Sequence, residues 1–125
     1  MPRKMAVLSL FFCILFIFVS VTIAAEWYAG GTLHGATIAE WKEATDANKL
    51  ATCVDFIASI HQLGILKFTI TTIESIKPYA NQLVVVIDAT VADSSDFDNK
   101  PVSEIAAASM LMMDWLEGVE VRFPR

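Results

Sequence analysis

The 125-residue sequence predicts an all-α protein, a small bundle of about four helices after a signal peptide. Three observations lead there. Two Thr-x-x-Glu boxes, Thr37–Glu40 and Thr71–Glu74, carry the hydroxyl and carboxylate that meet each other's exposed amides at a helix start. Apolar residues recur every three to four positions through "ANKLATCVDFIASIHQL". Pro101 and Gly118 bracket the last apolar run in the order that helix starts and stops favour.

The elements follow in chain order. "MPRKMAVLSLFFCILFIFVSVTIAA" has Arg3 and Lys4, no charge from Met5 to Ala25, and small residues at its end. That is the pattern of a secretory signal peptide over residues 1–25, with cleavage after Ala24 or Ala25. Its apolar length also allows the alternative of an uncleaved anchor. A single domain is expected over 26–125. Thr37 should cap a short helix through about Ala44, and Asp46 the next, which stops at Gly64. There Leu50, Cys53, Val54, Ile57 and Ile60 form the apolar stripe, with Lys49, Thr52, Asp55 and Ser59 on other faces. Pro78 should interrupt or restart the third helical segment, leaving a longer helix from Lys77 to about Ala92. "DSSDFDNKP" (Asp93 to Pro101) reads as a solvated linker. The last helix is expected to run from near Pro101 to Gly118 and, apolar over most of its circumference, to organise the core.

One alternative stays open. "LKFTIT" alternates apolar and polar residues and "LVVVI" is β-branched, so 65–71 and 83–88 could pair as a hairpin in an α+β domain.

Charge and cysteine use narrow the function classes. Without Arg3 and Lys4, seven bases face 14 acids, a net charge of −7. Such a surface repels phosphate backbones and anionic lipid, so no nucleic acid is expected, and a membrane only if the signal segment is retained. Beyond Cys13 in the signal segment, Cys53 is the one cysteine, so no internal disulfide is expected. Its apolar neighbours Val54, Phe56 and Ile57 favour an inert, buried thiol.

The candidate ligand or partner surface comprises Trp27, Tyr28, His34, Trp41, Met112 and Trp115. Aromatics flanking a Gly-flanked histidine could stack on a ligand while His34 hydrogen-bonds it. The plainer reading makes Trp27 or Tyr28 the anchor of an N-terminal arm ahead of the Thr37 cap. His34 and His61 do not sit at metal-ligand spacing. Met110, Met112 and Met113 cannot all share one side of a helix, so core filling explains them better than Cu(I) binding. "DSSDFD" lacks the glycine and terminal glutamate of a calcium loop. No phosphate-binding or dinucleotide motif is present. Neither metal nor cofactor nor catalysis is expected.

"GGTLHGATIAEWKEATDANKLATCVDF" and "KPYANQLVVVIDATV" resemble segments of small exported bacterial proteins of no assigned activity. "TCVDFI" (Thr52 to Ile57) is similar to the T-C-x-x-F-L segment of HdeA-type periplasmic acid-stress chaperones, whose second cysteine has no counterpart here. The expectation is therefore an exported, periplasmic or secreted, non-catalytic protein that binds a partner protein or itself through its last helix. An acid-responsive chaperone, and a small hydrolase or redox enzyme using His34 or Cys53, are the alternatives.

Overall fold

A computed structural model describes residues 26–119, so the signal-peptide expectation for residues 1–25 lies outside the described residues. Four helices make up the fold: α1 (Ile38–Glu43), α2 (Asp46–Gln62), α3 (Ile73–Val91) and α4 (Val102–Met112). The expected all-α bundle is thus what forms, and the described residues contain no strand beyond two isolated bridges. None of these helices is long and apolar enough to cross a membrane.

Thr37 caps α1 by accepting from the Glu40 amide, as its capping box requires. The other two caps fall one residue from their expected places. Thr45 rather than Asp46 caps α2, and Thr72 with Ser75, rather than Thr71 with Glu74, closes the box on α3. In each case a threonine hydroxyl sits where it reaches the amide three residues on.

α3 corrects two expectations. It runs unbroken through Pro78, near its start. The missing N–H leaves only the Glu74 carbonyl unpaired, on a face where both residues are exposed and water can serve it. The alternative hairpin at 65–71 and 83–88 is also overturned. "LVVVI" lies inside α3, and 65–71 is a bent loop with one bridge, Leu66 to Leu116. The spacing of Ile76, Ala80, Leu83, Ile87 and Val91 puts one stripe in the core, while Val85 is 65% exposed. Periodicity therefore prevails over β-propensity. Each fully buried aliphatic side chain on that stripe stabilises the fold by about 1.5–3 kcal/mol.

α4 ends at Met112, not Gly118. Asp114 adopts a left-handed conformation (φ 60°), the Trp115 amide donates to the Met110 carbonyl, and the Asp114 amide donates to Leu111. This is a Schellman stop built on aspartate instead of glycine. It turns Trp115 and Leu116 back into the core, where the Lys67 amide donates to the Trp115 carbonyl and the Glu117 amide to Ile65. α4 is consequently shorter than expected and does not organise the bundle. α3 does: it packs on both α2 and α4, which barely touch each other.

The expected solvated linker is docked as well. The amides of Ile38 and Ala39, orphaned at the start of α1, donate to the carbonyls of Lys100 and Asp98. In return the Val102 amide at the start of α4 donates to the Ala36 carbonyl, forming the Thr37–Pro101 bridge. Lys42 pins the same loop through the Ser94 carbonyl and the Asp98 carboxylate. One apolar cluster joins the lead-in (Leu33, Ala36), all four helices, and Trp115 with Leu116.

Candidate functional site

The expected surface residues occupy separate environments. Trp27 donates through Nε1 to Glu74 Oε1 at 3.1 Å, lies under Lys77 Nζ at 4.8 Å from its ring centroid, and meets Tyr28 edge to face. His34 Nε2 is 2.7 Å from Asp55 Oδ2, and its ring abuts Phe56 edge-on. Trp41 and Trp115 are buried, which corrects their placement on a surface. Met112 is 86% exposed. Trp27, His34 and Trp41 therefore do not converge on one cavity.

Trp41 instead belongs to a polar knot at the edge of the core, where the Asp88 carboxylate is partly open to solvent. Its Nε1 donates to Asp88 Oδ1 at 2.8 Å, and Lys49 Nζ donates to the same oxygen at 3.1 Å. The ammonium also stands 5.5 Å from the Trp41 ring centroid, within cation–π range. One carboxylate on α3 thus ties α1 to α2. Burial of Lys49, expected on another face, is tolerated because its charge is paired. Trp115 packs edge-on against Phe68 and Tyr79, which stack on each other at 3.7 Å.

The polar side of α2 was expected to lie away from packing, yet it holds the lead-in. Asn48 Oδ1 accepts from the Thr32 amide at 2.9 Å, and Asn48 Nδ2 donates to Thr32 Oγ1. Buried Thr52 Oγ1 accepts from the Leu33 amide, and Asp55 pairs with His34. The spacing 48, 52, 55 is itself a helical stripe, and that was the signal available in the sequence. Gly31 lets the chain lie this close: a Cβ there would sit 2.6 Å from the Thr52 amide nitrogen.

Cys53 is fully buried and unpaired. Burial, and secondarily the negative charge of Asp88, pushes its thiol from 9.0 up to about 12. A thiol held neutral and out of solvent is a poor nucleophile and a poor metal ligand. Among the described residues, no three His, Cys, Asp or Glu side chains gather closely enough to hold a metal ion. Met110 is buried while Met112 faces out, so the methionines do not form a common thioether site.

Two surface features remain. A groove of about 370 Å³ lies between the arm and the start of α2, lined by Glu26, Trp27, Ala29, Gly30, Thr45, Ala47 and Asn48. The outer side of α4 beyond Glu104 presents Ala107, Ala108 and Met112 to solvent with Leu111 half-buried beside them, an apolar patch that none of the other described residues covers. No protein-family model, curated protein or solved structure matches this chain.

Proposed function

We propose that this chain is an exported, non-catalytic helical protein that works by binding, through the outer face of α4, either a partner protein or a second copy of itself. The observation that carries the reading is that face: Ala107, Ala108, Leu111 and Met112 lie on one side of the helix, and Met112 is 86% exposed. A flexible thioether flanked by small side chains suits an adaptable apolar contact. The sealed thiol of Cys53 supports a binding role over a thiol-dependent hydrolytic or redox one.

Sedimentation of the purified protein, with titration of a hydrophobic dye, tests the reading. Concentration-dependent association or dye binding that Met112→Asp abolishes is expected. A monodisperse monomer that binds no dye at any pH overturns it. Dye binding that appears only on acidification transfers the weight to the acid-responsive chaperone. Export has its own test, N-terminal sequencing of the accumulated protein. A start at Ala25 or Glu26 supports it, and an intact Met1 counts against it.

A further inference from the structure

The lead-in from Glu26 to Ala36 is attached in two unequal halves. Its inner half is rooted. Gly31 lies against the Ala51–Thr52 backbone, the Thr32 and Leu33 amides are taken by Asn48 and Thr52, and Leu33 is buried in the core. The outer half, residues 26–30, is tied by side chains rather than by long-range backbone hydrogen bonds among the described residues, with half-buried Trp27 and Tyr28 packed against the edge of the core. Its backbone closes only a local turn, Ala29 amide to Glu26 carbonyl. Its longer-range polar contacts are those of the half-buried Trp27 with Glu74 and Lys77 on α3. The Trp27–Glu74 bond is exposed, where water competes for both partners, whereas the Leu33–Thr52 bond is buried and has no such competitor. Between the halves stands Gly30, at φ +85° and with nothing within 4 Å of where a side chain would project. Glycine takes this conformation without strain, and it leaves no side chain to obstruct a change of backbone angle there.

The geometry points to residues 26–30 as a latch that swings about Gly30, opening the groove at the first turn of α2 while residues 31–36 stay seated. Trp27 and Tyr28, in contact edge to face, travel together. When the latch opens, the wall formed by Trp27 and Ala29 leaves Thr45, Ala47 and Asn48, and Glu74 and Lys77 are freed on α3. The device is independent of the α4 face.

Amide hydrogen exchange of the purified protein, read residue by residue, tests it. The Leu33 amide should be protected at least about tenfold more than that of Ala29. In Trp27→Ala, Ala29 should exchange as an unstructured peptide does, with Thr32 and Leu33 unchanged to within about twofold. Glu74→Ala, which leaves the aromatic pair in place, should shift Ala29 in the same direction by a smaller factor. Equal acceleration across 28–34 in these variants would mean that the arm moves as one piece and would overturn the latch. So would Ala29 protection that matches Leu33 and resists both substitutions.

Discussion

α2 and α4 reverse the usual rule in opposite senses. α2 buries the hydroxyl of Thr52 and lays half-exposed Asn48 and Asp55 against the lead-in, because what lies over this stripe is a stretch of backbone and a histidine, which need hydrogen-bond partners. α4 turns apolar side chains outward, leaving Ala107, Ala108 and Met112 in solvent. A polar stripe is therefore no proof of a solvated face, nor an apolar one of a buried face. The chemistry of the covering element decides between them. On α2 that element is present, and every deeply buried side-chain nitrogen or oxygen among the described residues has a partner.

Four substitutions or conditions sharpen this contrast. The largest effect is expected at the knot beside the α2 stripe. Trp41→Ala empties a fully buried site and strips Asp88 of a donor, costing about 3–5 kcal/mol in denaturant unfolding. A loss below about 1 kcal/mol would show that the knot does not anchor α1. Gly31→Ala comes next, at about 1–3 kcal/mol, since the Cβ meets helix backbone that cannot rotate away. A neutral result would mean that the lead-in is not seated on α2.

The third effect depends on pH. Cys53 titrates near 9.0 when free and near 12 when folded, so between those values the unfolded chain binds fewer protons than the native one. Stability should fall as pH rises through that window, by up to about 1.4 kcal/mol per pH unit, with no contribution from this thiol below it. The measurement is the difference in slope between the parent and Cys53→Ala. Parallel slopes would mean that the thiol reaches solvent. The smallest effect belongs to α4: Met112→Asp should change stability by less than about 0.5 kcal/mol. If it unfolds the protein, Met112 is a core residue and the outer face is not free.

Periodicity and capping made part of the bundle legible, since the stripe of α2 and the cap at Thr37 can be read directly from residue spacing, whereas the helical state of α3 rested on its length. The end of α4 was not. Asp114 takes a backbone conformation that glycine usually supplies, and Gly118 lay close enough to be mistaken for the stop. The two early tryptophans look alike in sequence, and only the position of Asp88 on a distant helix separates buried Trp41 from half-exposed Trp27. Lys49 and Thr52 were misplaced because their partners, Asp88 and Leu33, are far away along the chain. Polar pairs across elements leave no local pattern.

The bridge between Thr37 and Pro101 has a consequence for the order of events during synthesis. A six-residue helix is too short to persist by itself in water. Two of its leading amides find their acceptors at Asp98 and Lys100, far later in the chain. The segment that leaves the ribosome ahead of the other helices must therefore wait until most of the chain has been made before it settles, and a chain cut short before residue 98 should leave that beginning unstructured.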